Sequence, residues 1–307
     1  MVDPVAEGHG ERRCGFIALI GAPNAGKSTL INALVGTKVT IVSHKVQTTR
    51  MLLRGIVMED NAQLVLIDTP GIFVPKRRLD RAMVTTAWSG ARDADIVGVL
   101  IDARHGIEEE AGTILDGLDR GPQPKLLLLN KIDLVEKPVL LKLAQQANER
   151  ATFAASFMIS ALTGAGVADV RRWLAAHAPV GPWHYPEDQI TDAPLRQLAA
   201  EITREKLYLR LHQELPYQST VETERWLERK DGSVRIEQTI YVERESQRRI
   251  VLGQNGQTIK AIGAEARREI ALAVEHPVHL FLFVKVRKGW GDDPERYREM
   301  GLEFPKE

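Results

Sequence analysis

Eight residues, Gly21-Ala22-Pro23-Asn24-Ala25-Gly26-Lys27-Ser28, place glycine, lysine and hydroxyl at the spacing G-x-x-x-x-G-K-[ST], the pattern of a phosphate cradle. Gly21 and Gly26 let the backbone curl so that successive N–H groups face phosphate oxygens, and a helix beginning there adds its positive end. Lys27 sets a point charge on the β- and γ-oxygens, and the Ser28 hydroxyl is placed for Mg²⁺. Pro23, Asn24, Ala25 and Thr29 complete the same turn, and the implied ligand is a nucleoside triphosphate. In Asp68-Thr69-Pro70-Gly71, the carboxylate can hold a metal-bound water and Gly71 leaves its N–H free to approach a terminal phosphate. In Asn130-Lys131-Ile132-Asp133, the Asp133 carboxylate can accept two parallel hydrogen bonds from guanine N1–H and its 2-amino group. Adenine offers no such donor pair.

Each segment follows an apolar run that reads as a buried strand, and Ser160-Ala161-Leu162 follows another. The spacing predicts strands over 16–20, 52–58, 63–67, 95–101, 125–129 and 153–159, and helices over 28–34, 108–119, 138–150 and 167–177. The second and third strands form a hairpin through Glu59-Asp60-Asn61. The alternation implies an α/β fold, a doubly wound, mostly parallel sheet with helices on both faces. Ligands in such sheets bind beyond the carboxyl ends of the strands, where the motifs fall. The stretch 36–50, polar and without a period, reads as a mobile loop.

Length and composition fit this plan. The 307 residues, 44% hydrophobic and 27% charged, suit about two soluble globular domains. Lys and Arg total 41, as do Asp and Glu, so attraction to a polyanion must come from a local face. A single cysteine, Cys14, excludes an intramolecular disulfide, suits a reducing cytosol and reads as a small apolar residue opening a strand. No apolar run reaches 18 residues and the first ten lack a signal core, which predicts a cytoplasmic chain with a disordered start over 1–13.

Over 14–178 the ordered motifs resemble the GTP-binding domain of the translation-factor-like GTPases. The resemblance implies that Asn130 and Asp133 read guanine, that the Lys131 stem packs along the nucleotide, and that Ser160, Ala161 and Leu162 back the base. It also implies that one threonine of Gln47-Thr48-Thr49-Arg50 joins Ser28 and Asp68 at Mg²⁺; the family pattern points to Thr49, with Thr48 as the alternative register. Lys27, Thr49, Gly71 and Asn24 form the implied catalytic set. Ras-type enzymes carry a water-orienting glutamine where this chain has Ile72, so slow intrinsic hydrolysis is expected. Asn24 matches the asparagine that binds K⁺ in some relatives, where the ion stands in for an arginine finger.

Three prolines within 178–186 mark a linker over 179–191. Beyond it a helix opens with Asp192 as N-cap and Pro194 in its first turn. Runs over 219–228 and 233–243, joined through Asp231-Gly232, read as a hairpin. An apolar segment Ile250-Val251-Leu252 leads into Gly253-Gln254-Asn255-Gly256, then a helix and a last strand over 279–286. This order over 192–288 resembles a type II K-homology (KH) domain, whose Gly-x-x-Gly loop clamps the backbone of four single-stranded nucleotides. Residues 244–288 hold nine basic and four acidic side chains, a local excess that attracts phosphates. The implied RNA contacts are Gly253, Gln254, Asn255, Gly256, Lys260, Arg248, Arg249 and Lys285. The family's loop usually carries a basic residue between its glycines; Gln254-Asn255 departs from that. The tail 289–307 reads as an irregular extension.

A phosphate-loop GTPase joined to a C-terminal KH domain resembles the Era family. The resemblance implies a GTP- and Mg²⁺-dependent switch, with K⁺ as a further ion, that binds the single-stranded 3′ end of 16S rRNA and the 30S ribosomal subunit and assists its maturation and assembly. It further implies a monomer that does not bind DNA and associates peripherally with the inner membrane. Two other readings stay open: a GTPase serving RNA modification, a class with a hydrophobic residue at the Ile72 position, and a protein-docking module whose KH fold has lost RNA.

Overall fold

The computed structural model describes residues 11–43, 45, 48–118, 122–211, 215–289 and 293–305. Most of the expected disordered start, residues 1–10, lies outside these, as do Gln47 and Trp290. The first apolar run forms β1 (Arg13–Gly21) at the middle of a six-stranded sheet. Its neighbours are β2 (Leu53–Glu59), β3 (Ala62–Asp68), β4 (Ile96–Asp102), β5 (Lys125–Asn130) and β6 (Ala155–Ile159). The order is β2-β3-β1-β4-β5-β6, parallel except for β2. Parallel register therefore carries Gly21, Asp68, Asp102, Asn130 and Ile159 to one edge of the sheet.

Strands buried on both faces need helices on both faces. On one side α1 (Lys27–Val35) and α5 (Val167–His177) cover Leu19, Leu64 and Leu66 with Leu30, Leu34, Val170 and Leu174. On the other, α2 (Arg78–Asp93), α3 (Glu109–Asp116) and α4 (Lys137–Arg150) cover Ile20, Val99 and Leu127 with Ala87, Ala91, Ile114, Leu140 and Leu143. Helix α2 was not among the expected elements, although Leu79, Met83, Thr86, Ala87 and Gly90 mark its buried face at helical spacing. The β2–β3 turn is two residues long, with Asp60 at φ 49°.

The second unit runs α6 (Leu195–Arg210), β7 (Ser219–Glu228), β8 (Val234–Val242), α7 (Glu245–Leu252), α8 (Gln257–Val274), β9 (Val278–Val286). Its sheet has the order β7-β8-β9, with β7 antiparallel and β9 parallel to β8. Two local expectations are corrected. Asp192 does not cap α6: Pro194 stands at the cap and the Asp192 carboxylate lies 2.6 Å from Arg54 Nη1. The tail is not wholly irregular, since α9 (Pro294–Glu299) packs Tyr297 against Leu79, Ala82 and Met83 of α2. The connector lies along the first sheet, where Pro179 O accepts from Cys14 N and Ile190 O accepts from Ile56 N. Gln63 also grips the backbone of His184 and Tyr185. Among the described residues no helix is long and apolar enough to cross a membrane.

Candidate nucleotide site and RNA-facing loop

At the carboxyl edge of the sheet the motifs line one cleft of about 460 Å³. Gly26 takes φ 102°, and a Cβ built there would lie 2.2 Å from Asn130 Nδ2. Lys27 is buried and its Nζ donates to the carbonyls of Gly21 and Ala22, each at 3.0 Å. Burial pushes this ammonium down to about 8, against the pull of Asp68.

Asp68 ends β3 fully buried. Its Oδ2 accepts from Ser28 Oγ at 2.7 Å and from Thr49 Oγ1 at 3.2 Å, and the two hydroxyls are 3.1 Å apart. Its Oδ1 is buried with no hydrogen-bond partner. Burial raises the carboxyl to about 6, while Ser28 and Lys27 lower it. Clustered hard oxygens with one carboxylate oxygen unsatisfied fit Mg²⁺. Thr48 is turned away, its hydroxyl bonded to Lys45 O and Ser43 Oγ. Of the two neighbouring threonines, Thr49 reaches Ser28 and Asp68.

Gly71 rests on the phosphate loop, since a Cβ there would lie 2.9 Å from Pro23 Cα. Ile72 N donates to Gly21 O, and the Ile72 side chain packs in the core beneath α2, away from the cleft. At the other end of the cleft Asn130 acts as a tie: Nδ2 donates to Ala25 O at 2.8 Å and Oδ1 accepts from Ala161 N at 2.9 Å. Lys131, at φ 67°, donates to Asn24 O and to Asp102 Oδ2, both at 2.6 Å. Thr29, Asp133 and Leu162 line the cleft, with Asp133 and Leu162 exposed at its rim. Ser160 is buried behind it, its hydroxyl accepting from Thr163 N. Asn24 is exposed on the phosphate loop in the left-handed region.

Asp102, Arg104 and His105 were not foreseen. Burial opposes ionisation of Asp102, but Arg104 and Lys131 hold its carboxyl down to about 2. Arg104 and His105 stand on the cleft wall. The available signal was positional: Asp102 closes β4 as Asn130 closes β5, and the two are paired across the sheet.

In the second unit Gly253 (φ 72°) and Gly256 (φ 77°) bracket exposed Gln254 and Asn255 in the tight turn between α7 and α8. Arg249 and Lys260 are exposed on the flanking helix turns. Arg248 is partly engaged, donating to Val284 O and pairing with Glu245. Lys285 stands apart. Successive strand residues face opposite sides; Val284 packs into the helix-covered core and exposed Lys285 points from the other face of the sheet.

Over 295 residues the chain is 72% identical to GTPase Era of Afipia carboxidovorans, covering 96% of each. The chain belongs to the Era family of GTPases. It is also 69% identical over 295 residues to GTPase Era of Brucella suis, covering 96% of this chain and 95% of that one. Residues 16–131 match the family described as 50S ribosome-binding GTPase, and 214–291 match the KH domain. Two solved Era structures superpose with TM-score 0.89 at 36% identity, over 94% of this chain and 99% of theirs. One is a variant of Aquifex aeolicus Era bound to GDP·AlF4⁻; the other is Era in complex with MgGDPNP and nucleotides 1506–1542 of 16S ribosomal RNA. This Era-family chain is thus a GTPase with a P-loop domain and a C-terminal KH domain, as the motif order implies.

Proposed function

We propose that the chain is an RNA-coupled switch that binds guanine nucleotide with Mg²⁺ at the cleft and the single-stranded 3′ end of 16S rRNA at the KH loop. The observation that carries this is the likeness, over 94% of the chain, to an Era holding both MgGDPNP and that RNA. The finer reading is that it serves maturation and assembly of the 30S subunit as a cytoplasmic monomer with access to the inner membrane face.

In hydrolysis, water oxygen bonds to the γ-phosphorus as the β–γ bridging bond breaks; GDP leaves with the bridging oxygen and the water's protons pass to phosphate and solvent. Mg²⁺, when bound, offsets the charge on the β- and γ-oxygens. In this reading Ser28, Thr49 and Asp68 hold that ion, Lys27 turns from its loop carbonyls to phosphate, and the Gly71 N–H meets the γ-phosphate. Asn130 braces the base pocket that Asp133 reads. Ile72, committed to the core, leaves the attacking water without a side-chain partner from that position, which supports a slow unaided rate. Asn24 is offered as a K⁺ ligand; turnover in KCl above that in NaCl at equal ionic strength would support it, and equal turnover would remove it.

Filter binding of an RNA ending in the 16S 3′ sequence, with a non-hydrolysable GTP analogue or with GDP, tests the coupling. Tighter binding with the analogue is expected. Equal affinities would overturn nucleotide control, and absence of any salt-dependent binding would favour protein docking.

A further inference from the structure

We propose that Arg204, which belongs to the KH half, is a positioning residue for GTP hydrolysis: it fixes the backbone beside Thr49 so that the Thr49 hydroxyl meets the metal site. The proposal rests on the reading of Thr49 as a Mg²⁺ ligand. Described residues 36–52 form neither helix nor strand beyond the end of α1, so no ladder of backbone hydrogen bonds orients Thr49. Its hydroxyl meets Ser28 and Asp68, while the backbone on either side of it is held from the second half of the chain.

On one side of Thr49, Arg204 Nη2 donates to the Thr48 carbonyl. On the other, Arg50 is 1% exposed. Its Nη1 donates to Ser219 O at 2.8 Å, and its Nη2 to the Tyr208 hydroxyl at 2.7 Å and to Tyr217 O at 3.0 Å. Both peptide neighbours of Thr49 are thus gripped by α6 and the start of β7. The two guanidinium groups share the Tyr208 ring, lying 5.7 Å and 5.1 Å from its centroid. Glu201 pairs with Arg204 through Nε at 2.8 Å and again through Nη2.

Burying two cations beside one carboxylate is costly unless hydrogen bonds satisfy them. Arg204 keeps Glu201 on its own helix, but its bond to Thr48 and the bonds of Arg50 cross between the halves, so withdrawing residues 48–50 would strip Arg204 of the Thr48 carbonyl and Arg50 of four KH-half oxygens. The arrangement therefore favours the position in which Thr49 lies on Ser28 and Asp68. Coupling of this kind is reciprocal: a metal ion that holds Thr49 also holds α6, and ligation that stiffens α6 also holds Thr49.

The test uses the full chain and measures GDP affinity, kcat and the Mg²⁺ concentration giving half-maximal hydrolysis. Glu201→Gln with Arg204→Gln removes the grip as a neutral pair and leaves Arg50 on its hydrogen bonds to Tyr208, Pro216, Tyr217 and Ser219, and Tyr208→Phe deletes only the hydroxyl that accepts from Arg50. Expected for the double variant are a kcat lower by about tenfold or more and a higher Mg²⁺ requirement, with GDP affinity within about twofold of the parent. Tyr208→Phe moves the same two quantities less, and Arg204→Lys, which keeps a donor for the Thr48 carbonyl, falls between parent and double variant. A general packing defect would lower GDP affinity without a selective Mg²⁺ shift, and that result overturns the proposal. Thr49→Ala separates the two readings. Loss of hydrolysis in Thr49→Ala alongside parental rate and Mg²⁺ dependence in the other variants overturns the role of Arg204 alone; a parental Thr49→Ala overturns the metal-ligand reading beneath it.

Discussion

Asn130 occupies the space a side chain at residue 26 would need. A Cβ on Gly26 would lie 2.2 Å from Asn130 Nδ2, the atom that donates to Ala25 O, and Gly26 also sits at φ 102°. The phosphate loop and the segment 130–133 therefore fit only while residue 26 is glycine. Gly26→Ala must move Asn130 or the loop and also strains the backbone by roughly 1 kcal/mol or more. GDP and GTP affinity should both fall about tenfold or more, read by fluorescent-nucleotide titration. Undiminished GDP affinity would show that the tie between Asn130 and Ala25 is dispensable.

The buried Asp68 carboxyl predicts a stability gain from its removal. Its folded value of about 6 lies above the ordinary 3.8, so the folded chain binds this proton more tightly than the unfolded chain. The associated stability is fully present below about 3.8 and is lost as pH rises through about 6. The gap between the two values corresponds to roughly 3 kcal/mol, with the attraction to Lys27 already included in it. In EDTA without nucleotide, Asp68→Asn should therefore melt higher than the parent at pH 7.5 and level with it near pH 4, while losing Mg²⁺-dependent nucleotide binding. Thermal melts from pH 4 to 8 decide this, and a variant that melts lower at pH 7.5 would contradict it.

The contrast between Thr49 and Arg50 shows what the sequence could convey. Strand ends carrying Gly21, Asp68 and Asn130 were legible because apolar runs and short motifs are local signals. Thr48 and Thr49 could not be separated, since their difference lies in which hydroxyl faces Asp68, a matter of tertiary contact. Arg50 had no local signature either: its partners are carbonyls about 170 residues away. The local charge count groups Lys285 with the Gly-x-x-Gly loop, but strand alternation turns it to the other face of the sheet. Helix α2 did carry its pattern at Leu79, Met83 and Thr86; the partner covering its outer residues, Tyr297, comes from a tail too short to show a period of its own.

That tail supplies a stability prediction. Tyr297 is fully buried against Leu79, Ala82 and Met83, and its ring meets Phe304 edge-on at 4.9 Å. Tyr297→Ala removes a large aromatic side chain from a packed cluster, a change that costs about 3 kcal/mol. The variant should unfold at lower denaturant concentration, detected by far-ultraviolet circular dichroism, and α2 should lose amide-exchange protection first. An unchanged midpoint would mean that α9 adds nothing to the fold.

The two loop glycines are not equivalent, which makes one of them the better probe of RNA binding. A Cβ on Gly253 would lie 2.2 Å from Thr258 Oγ1, so any substitution there deforms the turn as well as its surface. Gly256 meets nothing within 4 Å, and only its φ of 77° disfavours a side chain. Asp and Asn both tolerate that conformation and match in shape, so Gly256→Asp and Gly256→Asn differ chiefly in charge. If phosphates lie against this turn, Gly256→Asp should weaken binding of the 16S 3′ RNA by about tenfold more than Gly256→Asn at low salt. The gap should narrow as salt is raised and the added charge is screened. Filter binding across a salt series reads both quantities, with GDP affinity as the check on fold. Equal weakening by Asp and Asn at every salt concentration would place the phosphate backbone elsewhere on the domain.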